Sequence, residues 1–84
     1  MDYRPALTKK FLRELRKQPN EVKERALRAI DEIIANPLLG VKLRGELQGY
    51  WRWRIGEQRI IYKIDDPLHL VVFLDVGPRR SIYK

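Results

Sequence analysis

The sequence predicts an α+β fold: an N-terminal helical hairpin packed on one face of a small, mainly antiparallel β-sheet. Three observations predict it. Apolar residues recur at helical spacing before Pro37, they alternate from Tyr50 onward, and Pro19, Pro37 and Asp65-Asp66-Pro67 punctuate the boundaries. At 84 residues the chain has room for one small domain, so residues 1–84 are expected to form a single unit.

The elements follow in order. Tyr3-Arg4 before Pro5 suits a short extended start, because a residue ahead of proline avoids the helical region. Thr8 is placed to cap a first helix, in which Leu7, Phe11, Leu12 and Leu15 form the apolar stripe. Gln18-Pro19 stops it, and Asn20 is placed to cap a second helix. There Val22, Ala26, Ala29, Ile30 and Ile33 form a stripe widened by Leu27 and Ile34. Glu24 precedes Arg28 by one helical turn, a favourable order for an ion pair. Pro37 ends the helix near Asn36, and Leu38-Leu39-Gly40 marks the boundary of the helical unit. Only a short turn separates the helices, which predicts an antiparallel pair.

Val41 to Gly45 leads into the segment YWRWRIGEQRIIYKI, Tyr50 to Ile64, which reads as two strands joined at Gly56-Glu57. A two-residue hairpin with glycine first sets Arg54 against Arg59, Arg52 against Ile61 and Tyr50 against Lys63. Alternation then places Arg52, Arg54, Arg59 and Lys63 on one face and Trp51, Trp53, Ile60, Tyr62 and Ile64 on the other. Like charges directly opposed destabilise a sheet, so an anionic ligand over that face, phosphate above all, best explains them. Asp65-Asp66-Pro67 reads as a turn. The run Leu70 to Leu74 suits a central strand covered on both faces, and the tail from Gly77 to Lys84 reads as basic and irregular.

Composition narrows the function. Net charge is +7 with a pI near 10.1, which favours an acidic or polyanionic partner. The absence of cysteine excludes disulfides and thiolate metal sites, and the lone His69 cannot build a histidine metal site. No cofactor and no metal are expected. No apolar run approaches a membrane span and the N-terminus lacks a signal-peptide core, so no membrane association and a cytoplasmic location are expected.

Each candidate has a plainer reading. A basic sheet face is often only a solvated surface, but this one is single-signed and rich in arginine, which suits bidentate phosphate binding. A second basic cluster, Arg79, Arg80 and Lys84, follows the strand expected beside the hairpin. Trp51 and Trp53 fall opposite the arginines, where core packing outweighs base stacking. His69 sits in a turn, and Asp65-Asp66 reads as a turn rather than a metal pair. The arginine face is expected to hold neither histidine nor carboxylate.

The order Lys42-Leu43-Arg44-Gly45, Arg52-Trp53-Arg54-Ile55-Gly56, Arg59-Ile60-Ile61-Tyr62, Val76-Gly77-Pro78-Arg79 and Ile82-Tyr83 resembles the RelE/ParE toxin superfamily across essentially the whole chain. The pattern is most similar to RelE, and its Pro-Arg tail to archaeal members. The resemblance implies a RelE-like fold and a type II toxin that cuts messenger RNA in the ribosomal A site, inhibiting translation. By position, Arg59, Arg79 and Tyr83 match the family's catalytic residues. RNA is expected on Arg44, Arg52, Arg54, Lys63, Arg80 and Lys84. Many relatives carry histidine at the position of Pro78, although RelE itself does not. The implied partners are the ribosome, through ribosomal RNA and bound messenger, and an acidic RelB-like antitoxin encoded nearby, through which the complex oligomerises. The alternatives are a ParE-type inhibitor of DNA gyrase and a non-catalytic RNA-binding domain.

Overall fold

Residues 2–78 are described by a computed structural model, and the sequence-predicted residues Arg79, Arg80, Tyr83 and Lys84 lie outside them. Strand β1 (Arg4–Leu7) follows the extended start that Pro5 favours. Leu7 therefore belongs to a strand and not to the first helix. β1 pairs in parallel with β5 (Leu70–Pro78), from Arg4 opposite Leu70 to Leu7 opposite Phe73.

Thr8 ends the strand and starts helix α1 (Lys9–Arg16). Its Oγ1 accepts from the Phe11 N–H at 3.1 Å and donates to the Phe73 carbonyl at 2.8 Å, so one side chain caps the helix and fastens it to the sheet. Helix α2 (Asn20–Ala35) begins differently from expectation. Pro19, at φ −59° and ψ 156°, occupies the cap position, and its carbonyl accepts from Lys23 N–H at 3.0 Å. Asn20 is already helical and makes no side-chain cap. Ala26, Ala29, Ile30 and Ile33 face the core, while Leu27 points outward at 55% exposure. Glu24 and Arg28 form no ion pair among the described residues.

Pro37 to Leu39 form a single 3-10 turn before β2 (Val41–Lys42), β3 (Trp51–Ile55) and β4 (Gln58–Asp65). The five-stranded sheet has the order β1-β5-β4-β3-β2, antiparallel except for the β1–β5 pair. Helix α1 lies along β5 and α2 crosses β3 and β1, and the helices make few close contacts with each other. Their shared core is Phe11, Ile30, Ile33, Ile60, Tyr62 and Phe73 with smaller neighbours. Trp51 and Trp53 pack against it on the predicted face, but both are only half-buried.

Tyr62 is fully buried and donates to the Pro37 carbonyl at 2.7 Å. Burial pushes its phenol up to about 12, partly offset by a backbone hydrogen bond from Gly40. Gly40 is there because a Cβ would collide with the Tyr62 hydroxyl and stand 2.9 Å from the Arg52 carbonyl oxygen.

The run Leu70 to Leu74 is not covered on both faces. Val71 and Phe73 are buried, whereas Leu70, Val72 and Leu74 are half-exposed on the side away from the helices. The helices cover one face only, so a fully apolar strand keeps half its side chains in partial contact with water. Gly77 and Pro78 extend β5 rather than opening the tail. At the other end, Tyr3 stacks on His69 at 4.0 Å and donates to Asp66 Oδ1 at 2.8 Å, tying the N-terminus to the β4–β5 turn. That hydrogen bond raises the Tyr3 phenol above its ordinary value.

Candidate functional site

The hairpin closes as its residues dictate. Gly56 takes φ 64°, the left-handed conformation required of the first loop residue, and Ile55 pairs with Gln58. Arg54 then stands opposite Arg59 and Arg52 opposite Ile61. Arg52, Arg54 and Arg59 therefore share the face away from the helices, as does Lys63, which pairs with Val72 of β5. Arg54 and Lys63 are exposed, and Arg52 and Arg59 are half-buried. Tyr50 falls just outside the ladder and does not pair with Lys63. Its N–H bonds to the Leu47 carbonyl at 3.1 Å, and its carbonyl accepts from Leu43 N–H at 3.0 Å.

Those two hydrogen bonds shape the loop between β2 and β3. Arg44 lies on it, beside a cavity of about 740 Å³ that is also lined by Lys42, Tyr50 and Trp51. The Lys42 ammonium stands 5.6 Å from the Trp51 ring centroid, which leaves that ring in a cationic setting. The loop also reaches over the arginine face, where Leu47 and Tyr50 form one wall of a second cavity of about 290 Å³.

The floor of this second cavity overturns one expectation. It includes Asp75, so the arginine face does hold a carboxylate. Strict alternation from Phe73 would turn Asp75 into the hydrophobic core. A β-bulge prevents this: Ile61 pairs with Asp75 and Tyr62 with Phe73, leaving Leu74 as the extra residue. Asp75 consequently joins Ile61 on the arginine side, and Val76 takes the core position with full burial. Asp75 is itself only 4% exposed, with Lys10 Nζ of α1 at 3.3 Å. An acidic residue inside an otherwise apolar strand, Leu74-Asp75-Val76, was the available signal in the sequence.

The site thus gathers Arg52, Arg54, Arg59 and Lys63 on one sheet face, with Arg44 on the adjoining loop. Such an array offers donors and positive charge to a phosphodiester. Asp75, Lys10 and Tyr50 adjoin it and were not singled out as site residues by sequence reasoning.

Two helices on one face of a small sheet, with a cationic opposite face, define a class of small toxin folds, and sequence comparison places the chain within it. Residues 6–83 match the family described as ParE toxin of type II toxin-antitoxin system, parDE. The chain belongs to that family, within the RelE/ParE superfamily, and is a toxin of a type II toxin–antitoxin system. It is 32% identical over 88 residues to Toxin RelE of Mycobacterium tuberculosis, covering 98% of this chain and 87% of that protein. It is 35% identical over 86 residues to Toxin RelG of the same organism, covering 100% and 99%. Its fold is similar to a chain of the Mycobacterium tuberculosis toxin–antitoxin complex RelBE2, with TM-score 0.87, 33% identity and 94% and 100% coverage. The intact Escherichia coli RelBE complex contains a chain of the same fold, with TM-score 0.81, 24% identity and 90% and 95% coverage.

Proposed function

We propose that this toxin is a ribosome-dependent endoribonuclease that cuts messenger RNA in the A site. The observation that carries the reading is the clustering of Arg52, Arg54, Arg59 and Lys63 on one sheet face. Such a cluster supplies charge-assisted donors and positive charge to a scissile phosphate. In this mechanism Arg59 and Arg79 stabilise the charge that builds on phosphorus, and Tyr83 exchanges the proton. Arg52 and Arg54 seat the phosphate. Arginine stays protonated and supplies charge rather than base strength. The ribosome supplies the remaining factor by ordering the RNA for in-line attack. The likeness to toxins named RelE and RelG supports the choice.

A second reading has its own observation, since the matching family is described by ParE. In it the cationic face contacts DNA gyrase and cuts nothing. Incubation with translating ribosomes and, separately, with gyrase and supercoiled DNA distinguishes the two. Ribosome-dependent cleavage that disappears in Arg59→Ala, Arg79→Ala and Tyr83→Phe is the expected result. Intact messenger together with gyrase-dependent DNA breaks rejects it.

The partner belongs to the same proposal. An acidic, RelB-like antitoxin encoded beside the toxin holds it inactive, as the RelBE complexes of similar fold suggest. Co-expression with the neighbouring gene product should yield a stable complex and remove toxicity.

A further inference from the structure

Phosphate binding calls for donors and positive charge, yet the 290 Å³ cavity on the cationic face is floored by a carboxylate. Asp75 Oδ1 accepts from Val76 N–H at 2.9 Å. Its Oδ2 is buried without a directed hydrogen bond, although Lys10 Nζ stands 3.3 Å away. A buried acceptor in that condition is costly, and each native case calls for an explanation. The bulge makes the placement deliberate: without Leu74 as the extra residue, Asp75 would not face this cavity at all.

The remaining walls narrow the ligand. Leu47, Ile61 and Leu74 are apolar, Tyr50 is aromatic, the Thr8 hydroxyl is already engaged by the Phe11 N–H and the Phe73 carbonyl, and the Asp75 acceptor lies beside the Lys10 donor. The volume is at the small end of ligand-sized sites. A flat, partly apolar group with donors and an acceptor on one edge fits this lining, and a nucleobase is such a group. Among the bases only guanine presents two adjacent N–H donors next to a carbonyl on its pairing edge. A carboxylate accepts both donors through its free lone pairs, and an ammonium donates to the carbonyl. Adenine and cytosine bring one N–H direction beside a ring-nitrogen acceptor. Uracil flanks its single N–H with carbonyls that would oppose the carboxylate.

We propose that Asp75, with Lys10, reads the edge of a guanine, making this cavity a base-specificity site next to the phosphate-binding arginines. The inference rests on the ribonuclease reading and adds a substrate preference to it. Asp75 acts on the flanking base, and the arginines remain the groups that meet the scissile phosphate.

The test uses purified toxin and short uridine oligomers carrying one central guanine, adenine or cytosine, with an all-uridine control. Binding is read by fluorescence anisotropy at low salt, so neither ribosomes nor cleavage is needed. Wild-type toxin should bind the guanine oligomer about five- to a hundredfold more tightly than the others, the span of one good bidentate base contact. Asp75→Asn should remove that preference while keeping or raising affinity for all-uridine RNA, because a negative charge has gone. A purely structural brace between Asp75 and Lys10 would instead weaken all four oligomers alike, with a lowered Tm, and that result overturns the proposal. If Asp75→Asn does not fold, Tyr50→Ala at the half-exposed wall gives the same readout. Equal affinities for the four oligomers in the wild type overturn the base site and leave the ribonuclease reading standing. An unchanged preference in Asp75→Asn, with weakened capture of the antitoxin, assigns the cavity to the protein partner and also overturns it. No binding of any RNA, with messenger intact on translating ribosomes, overturns both.

Discussion

Arg54 and Arg59 face each other across the hairpin, and substituting them separates activity from stability. Arg59→Ala should lower toxicity roughly a hundredfold or more, the usual loss when one preorganised charge donor is removed. Arg54→Ala, at the exposed member of the pair, should leave the Tm unchanged or slightly raised, because a like-charge pair is relieved. Growth arrest on induction and a thermal melt check both halves. Trp53 is the contrasting residue. A fully buried tryptophan would cost about 3–5 kcal/mol on truncation, but Trp53 is half-buried, so about 1–3 kcal/mol is expected of Trp53→Ala. Gly40 and Tyr62 form a third case, with the hydroxyl filling the space a Cβ would need. Gly40→Ala should destabilise by about 1–3 kcal/mol through overpacking. Combining it with Tyr62→Phe should cost less than the sum of the two, since the clash and the hydroxyl disappear together. Denaturant melts of the three variants measure that coupling.

At the scale of elements, Thr8 joins β1, α1 and β5 through one hydroxyl. Thr8→Ala should cost about 1–2 kcal/mol, measured by urea unfolding, because it removes the cap and the hydroxyl's hydrogen bond to the Phe73 carbonyl, leaving that carbonyl only the backbone N–H of residue 8. The β4 strand carries a pH dependence of its own. Tyr62 titrates near 10 in the unfolded chain and near 12 in the fold. The folded state holds its proton more tightly, so its contribution to stability is complete below about pH 10. It is lost as pH rises toward 12. Tyr62→Phe should flatten stability across that window, which urea melts at stepped alkaline pH will show. The bulge in β5 is the element that changes the chemistry of the site. A one-residue insertion moves Asp75 from the core side to the arginine side.

For the whole molecule, the net charge of +7 governs association. Rising salt should slow capture of an acidic antitoxin mainly through the association rate, with a smaller effect on dissociation. Stopped-flow binding at several ionic strengths measures this. A salt-independent association rate would show that apolar contacts direct the encounter. Exposed Leu38, Leu39 and Val41, at 68%, 67% and 50%, are the apolar surface such a partner has available near β2. No described helix is long and apolar enough to cross a membrane.

The sequence by itself determined the α+β class, the Thr8 cap, the Gly56-Glu57 turn and the separation of arginines from tryptophans. These are local properties: a cap, a turn type and a period of two are written in neighbouring residues. It also carried the family resemblance, because short motifs in fixed order survive in the chain without reference to contacts. Only the tertiary structure decided the rest. Leu7 went to a strand because β5, distant in sequence, offered it a parallel partner. Asn20 lost its capping role because Pro19 already held the cap conformation. Leu70, Val72 and Leu74 stayed half-exposed because the helices cover one face of the sheet and not the other. Asp75 reached the candidate site through a bulge, and a bulge depends on how two strands pair rather than on the composition of either.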